Sequence, residues 1–395
     1  MVQEQQPLQN IEIAVKALSR FGLDSLLSFG PVKRLANVSF LGVANEIYHL
    51  SRRSDRLEHT LSVVFWADRL CDLLNIPEKE HRILLCTYLL HDLGHGPFSH
   101  NSEPFMIECL NVYHQGLGSI FLQQKNRFGG ESQTLTQRLQ ELLGDDAERV
   151  LKALMKTNDT AESLAEFLAS PINVDKIEGN SRSANELDLP YVAPVDMLET
   201  LLYEDGRFAV KADSLERIIE FWRRERQLYW EKLYTDAIFG GEAVLTRILH
   251  ILHAAGINED ALILATDEEI LKMAGKLEQT QKLCNNLRKG EAPRSLSVTH
   301  ASLFASVAGD LRRARFEPRQ RAAIERKIAS QLGILEGNVI SHLSRRKYFG
   351  ENFDDLFQIE LFNERAKVIP LSRIRSAFSA SKRSGDLIDI YYFEE

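Results

Sequence analysis

Cysteine is scarce in this chain, and its pattern is not that of a disulfide framework. The four cysteines, Cys71, Cys86, Cys109 and Cys284, stand far apart with no CxxC pair, which predicts a reduced protein of the cytoplasm. Long apolar runs are also missing. None reaches the roughly 18 residues that a membrane helix needs, so no membrane partner is expected. The opening "MVQEQQPLQN" is polar and lacks the apolar stretch of a secretory signal. Nor is there an excess of basic charge: 48 Lys and Arg against 56 Asp and Glu leave a net charge of −8, which excludes a dedicated nucleic-acid coat protein. Local basic clusters remain, "SRRSDR" (51–56), "WRRER" (222–226), "LRRAR" (311–315) and "SRRK" (344–347). Each reads as a solvated helix face, or as one wall of a local basic pocket. With 44% hydrophobic and 26% charged residues, the composition is that of a soluble globular protein.

What is there is mostly helix. The first 330 residues carry apolar residues at helical spacing, as in "RLEHTLSVVFWADRLCDLL" (56–74) and "PEKEHRILLCTYLLHDLGH" (77–95). The second has Pro77 at its start, Gly94 and Gly96 at its end and a nearly all-apolar centre, so it should be deeply buried. Further helices are expected over 146–156, 161–170, 214–238, 241–256 and 267–275. The last 50 residues change character: 357–363, 366–372 and 387–395 are short, β-branched or aromatic, and read as strands. The expectation is a mainly α protein, with a helical core over 1–265 and a smaller C-terminal α+β lobe over 266–395, the lobe serving oligomerisation or regulation.

Histidine is concentrated. Six of the eleven histidines, His59, His81, His91, His95, His100 and His114, fall between residues 59 and 114. His81 sits at the start of its helix and reads as surface. The doublet His91–Asp92 ends an apolar helix, where burying both groups is costly unless something pairs with them. A divalent metal is the simplest partner, and imidazole with carboxylate suits Mn, Fe, Ni, Zn or Mg. If helices 56–74 and 77–95 pack antiparallel, His59 can face the doublet. Asp175, in "PINVDKIEGN", is a candidate fourth ligand.

His59, His91–Asp92 and Asp175 resemble the H…HD…D signature of the HD-domain phosphohydrolases. "HDLGHGPFSH" (91–100), preceded by "RLEH" (56–59), is similar to the dNTP triphosphohydrolase branch, which includes the dGTPases and the sterile-alpha-motif/HD-domain enzyme of vertebrates. That resemblance implies an HD helical fold with His59, His91, Asp92 and Asp175 as metal ligands. It implies that His114 is a histidine near the leaving group, oriented by Glu103, and that His95 and His100 face the substrate phosphates. Arg56 and Lys176 would contact phosphate, Arg226 would hold the terminal phosphate, Tyr234 would pack against the sugar, and Leu41 would crowd a ribose 2′-hydroxyl. The implied reaction splits a dNTP at its α-phosphate into deoxynucleoside and triphosphate. Homo-oligomers and a nucleotide activator are implied as partners.

The chain departs from that branch where substrate would be named. Gly179 and Ser183 stand where a Tyr and an Asp are usual beside the sugar, and Phe40 where a Gln is usual. Specificity by hydrogen bonding depends on such groups. Two alternatives therefore stay open: another HD phosphohydrolase, such as a phosphodiesterase or a nuclease on single-stranded nucleic acid, and a regulator that binds nucleotide without turnover.

Overall fold

In a computed structural model of the chain, which describes residues 2–111, 114, 118, 134–155, 163–314, 318–349, 368–371, 374 and 382–394, the helix expected over 56–74 forms over Arg56–Leu74. Its first turn is closed by a capping box: the Asp55 side chain accepts the Glu58 N–H, and the Glu58 side chain accepts that of Asp55. Asn75 ends it in the left-handed region (φ 50°). The next helix, Glu78–Leu90, starts after Pro77 and stops at His91, so the doublet and the glycines lie in the turn that follows rather than in the helix. The two helices pack antiparallel, as expected, and helix Val2–Arg20 lies along the first of them.

Two cores meet at this turn. One holds Leu18, Val63, Leu85, Tyr88, Ile177 and Trp222. The other holds Val43, Phe98, Phe105, Leu245, Leu287 and Tyr391. The chain leaves the first core at Leu93 and enters the second at Phe98, so segment 91–102 runs between two packed bodies. Because both cores are close-packed, small shifts in this segment are resisted from either side.

Helices Asp146–Met155, Ser163–Ala169, Asp236–Ala254 and Asp267–Lys276 meet the expectations for those regions. The helix expected over 214–238 does not run through. It forms over Leu215–Leu228, widens into a π-helical turn at Tyr229–Leu233, and gives way to the helix that Thr235 caps by accepting the Ile238 N–H. The Thr-Asp pair is a helix-start signal inside an otherwise continuous apolar pattern.

The two sheets are small and antiparallel. Strands β1 (Leu201–Glu204) and β2 (Arg207–Lys211) form a hairpin whose turn, Asp205 and Gly206, has φ of 49° and 76°. That Asp-Gly signal lies in the region read as helical, and the hairpin corrects the reading there. In the C-terminal region, β3 (Arg294–Ser295) and β4 (Val339–Phe349) flank β6 (Lys382–Tyr392), and β5 (Val368–Pro370) joins β2. The strand expected at 357–363 lies outside the described residues. "SRRK" (344–347) is on strand β4, not on a helix face. Among the described residues, no helix is long and apolar enough to cross a membrane.

Candidate metal centre

His59, His91, Asp92 and Asp175 come together from two helices and the turn that ends a third. Nε2 of His59 lies 3.2 Å from Asp175 Oδ1 and 3.5 Å from Asp92 Oδ2. Nε2 of His91 lies 3.3 Å from Asp175 Oδ1 and 3.4 Å from Asp92 Oδ1. Other bonds settle which ring nitrogens carry protons. His91 Nδ1 donates to the Tyr88 carbonyl at 2.6 Å, and His59 Nδ1 donates to Glu178 at 2.5 Å. In neutral rings the two Nε2 atoms are then lone pairs facing carboxylate oxygens, and Nε2 of His91 is buried without a hydrogen-bond partner. Acceptors facing acceptors need positive charge among them. Burial opposes a charge on His91, yet Asp92 and Asp175 outweigh it and push its pKa up to about 9. Burial likewise opposes charge on Asp92, and His91, His95 and Arg56 overturn it, holding that carboxyl well below the usual range. A divalent cation meets the same demand with all four groups at once, displacing protons from the histidines. The residues present fit such an ion.

The groups behind these four were not legible beforehand. Glu178 orients His59 and is itself held by Arg182 Nε at 2.8 Å, an outer support of the kind that fixes a ligand's tautomer. Tyr88 serves two ligands: its carbonyl orients His91, and its hydroxyl accepts the Val174 N–H at 3.2 Å, at the start of the helix that Asn173 caps and Asp175 sits on. Arg56, expected at a phosphate, is 4% exposed, and its donors go to Asp92 (2.9 Å), Ser99 (2.7 Å) and the Phe40 carbonyl (3.3 Å). Its visible work is to hold Asp92. His81, read as surface, is instead 5% exposed and pairs with Asp68 at 2.8 Å.

A second cluster adjoins the first. His95 Nε2 lies 3.2 Å from Asp92 Oδ1, and its ring stacks on His114 at 4.3 Å. His100 packs edge-on against both. Glu103, the first residue of helix Glu103–Leu110, receives Nδ1 of His100 at 3.0 Å and Nδ1 of His114. The expected Glu103–His114 pairing is present, but it does not keep His114 charged: burial lowers the His114 pKa, and the hydrogen bond to Glu103 offsets only part of that. His95 is driven well below its ordinary value, by burial first and then by Arg56.

The glycines of the motif act by close approach rather than by a sharp turn. Neither Gly94 nor Gly96 has positive φ; the left-handed residues are Phe98 and Ser99, at 57° and 55°. A methyl group on Gly94 would overlap the His114 carbonyl and stand 2.5 Å from Gly118 N. Gly94→Ala should therefore displace the segment carrying His114. We expect a loss of about 1–3 kcal/mol from overpacking, read by thermal denaturation, together with slower turnover. Unchanged melting and turnover would remove this role.

The expected substrate residues are less closely gathered. Leu41, Lys176, Arg226 and Tyr234 are all half-buried. Tyr234 packs on Tyr229 at 5.0 Å. Burial raises the Tyr229 pKa, with Tyr234, Glu225 and Asp175 adding to the rise and Arg56 opposing it. Phe40 is 8% exposed, with its ring 4.6 Å from His59 and under the Arg56 guanidinium at 4.7 Å. A Cβ on Gly179 would meet that ring at 3.7 Å and His59 at 3.6 Å. Two of the three departures from the family pattern, Phe40 and Gly179, are therefore neighbours on one wall.

Residues 56–156 match the HD domain family. The chain is 24% identical over 226 residues to the uncharacterised protein YwfO of Bacillus subtilis, a match covering 55% of this chain and 49% of that one. It is 35% identical over 71 residues to an uncharacterised protein of Methanocaldococcus jannaschii, covering 18% and 15%. It thus spans about half, or less, of the length of these curated relatives. Its fold is similar to the crystal structure of a phosphohydrolase from Bacteroides thetaiotaomicron (TM-score 0.65, 14% identity, 94% of this chain and 95% of that chain). It is also similar to that of a hypothetical protein from Aquifex aeolicus (TM-score 0.64, 17% identity, 93% and 91%). His59, His91 and Asp92 lie inside the segment that matches the HD domain family, and Asp175 lies beyond it.

Proposed function

We propose that the chain is a metal-dependent phosphohydrolase acting on a nucleoside triphosphate, with a dNTP as the favoured substrate. The observation that carries the reading is the convergence of two histidine lone pairs and two carboxylates beside a second, carboxylate-bound histidine cluster. A divalent ion held by His59, His91, Asp92 and Asp175 would supply Lewis acidity and a more acidic water. The remaining work belongs to the chain. Water oxygen bonds to the α-phosphorus while the bond to the sugar oxygen breaks, and that leaving oxygen takes a proton. The protonated form of His114 is suited to give it, since Glu103 occupies its Nδ1 and leaves the Nε2 proton for transfer. His95, neutral and stacked on His114, limits the ring's motion. Arg56 keeps Asp92 ionised and in place. Lys176 and Arg226 would neutralise phosphate charge, and Tyr229 and Tyr234 offer an aromatic wall for the sugar.

One observation favours a second reading. Phe40 offers no hydrogen bond to a sugar hydroxyl, and Gly179 beside its ring has no side chain to offer one. A substrate extended at the sugar, such as the end of a single-stranded nucleic acid, fits that wall better than a free hydroxyl does.

Incubation of Mn2+-loaded protein with each dNTP, each NTP and a single-stranded oligonucleotide separates the readings. Inorganic triphosphate and deoxynucleoside are expected from a dNTP. Shortened oligonucleotides with no triphosphate would move the assignment to the second reading, and no product from any of them would end both.

A further inference from the structure

We infer that Asp267 is a positioning residue of the metal centre, holding the loop that carries Phe40 in register with the loop that follows His91–Asp92. The inference rests on reading Asp92 as a metal ligand. Asp267 is distant in sequence from both loops, and its two oxygens are divided between them. Oδ1 accepts the Phe98 N–H at 2.6 Å, and Oδ2 accepts the Ser39 N–H at 2.9 Å. An Asp at a helix start commonly serves its own helix. Here Thr266 is the capping residue and accepts the Glu269 N–H, so the Asp267 carboxylate is released for the loops.

What it holds is under strain. Phe98 and Ser99 are consecutive non-glycine residues with φ of 57° and 55°. Such a conformation persists only where its surroundings over-determine it. From that turn the support runs directly to a ligand: the Ser99 hydroxyl donates to the Ser39 carbonyl and accepts from Arg56 Nε at 2.7 Å. Arg56 Nη1 then reaches Asp92 Oδ2 at 2.9 Å. Arg34 completes the clasp from the other side. Its guanidinium donates to the carbonyls of Leu93 and His95 on the metal loop and to that of Ala265, two residues before Asp267. If the Asp267 bonds are lost, the turn at Phe98–Ser99 can relax, and Ser99 no longer fixes Arg56 against Asp92.

Asp267→Asn keeps the size but sets an amide NH2 against one of the two backbone N–H groups, so one bond is lost. Affinity for Mn2+, measured by competition with a chromogenic chelator, should weaken about 10–100-fold. With dNTP as substrate and limiting Mn2+, kcat should fall. Asp389→Asn is the control. Asp389 is 3% exposed on β6 and accepts from the hydroxyls of Ser295 and Ser297, so its loss lowers thermal stability without touching either loop. Wild-type Mn2+ affinity in Asp267→Asn would overturn the inference, as would an equal loss of affinity in Asp389→Asn. Should Asp267→Asn not fold, Asp267→Ser removes the charge without a donor–donor clash. The same loss of affinity is expected of it, and unchanged affinity would again overturn the inference. Wild-type protein that takes up no Mn2+ would remove the metal reading itself and this inference with it.

Discussion

Replacement of His91 and Asp92 together by alanine is expected to remove bound metal and hydrolysis at once. Each residue meets Asp175 or His59 at the centre, and together they are half of the donor set. The remaining pair, His59 and Asp175, leaves a divalent ion with too few fixed ligands to compete with water. The substitution also strands Arg56, which is 4% exposed and spends Nη1 on Asp92. Breaking a buried pair by deleting one partner costs about 3–5 kcal/mol, so circular dichroism must accompany the metal assay. Asp92→Asn serves as the gentler companion. It keeps an oxygen for Arg56 but removes the negative charge that the ion needs, so it should fold, bind metal weakly and turn over poorly. Metal content by elemental analysis and triphosphate release from dNTP are the two readouts. A folded double variant with full activity would end the metal-hydrolase assignment.

How much of this centre was legible beforehand depended on whether the partners were local. The helix at Arg56–Leu74 was readable because its start and stop are written beside it, in Asp55, Glu58 and Asn75. The meeting of His59 with His91 followed from two helices joined by a short connection, which must pack antiparallel. Asp175 was no more than a candidate from its own surroundings, and the resemblance made it a ligand; the string "PINVDKIEGN" holds the Asn173 cap that starts its helix but nothing that points to Tyr88, which takes the Val174 N–H. Tyr88 itself looks like ordinary core in "ILLCTYLL", and only the structure reveals that its carbonyl and hydroxyl serve different ligands.

Charge was the commonest source of error. Arg56 reads as a cation for phosphate, whereas its donors are buried and go to Asp92, Ser99 and the Phe40 carbonyl. His81 reads as surface because it opens a helix, whereas the position is covered and Asp68 is its partner. Glu103 was expected to keep His114 protonated; the hydrogen bond forms, but burial lowers the pKa by more than that bond restores. The error lay in desolvation, which is set by residues far away in sequence.

Loss of the His114 imidazole is therefore the more demanding test of the chemistry. His114→Ala is expected to retain metal, because His114 lies outside the four-ligand set, and to slow turnover about 10²–10⁴-fold if it supplies the leaving-group proton. The pH profile adds a signature that a merely structural role would not give. The competent form is the protonated one, and burial has lowered its pKa below 6.5. A limb of kcat should then fall as pH rises through that depressed value, and the limb should vanish in His114→Ala. Glu103→Gln makes the sign explicit. Removing the carboxylate that stabilises the imidazolium lowers the His114 pKa further, so the falling limb should shift to lower pH while metal content holds. If His114→Ala turns over at the wild-type rate, or keeps the wild-type limb, the proton comes from another group. His100, which shares Glu103 and has the more exposed ring, would then be the next residue to change.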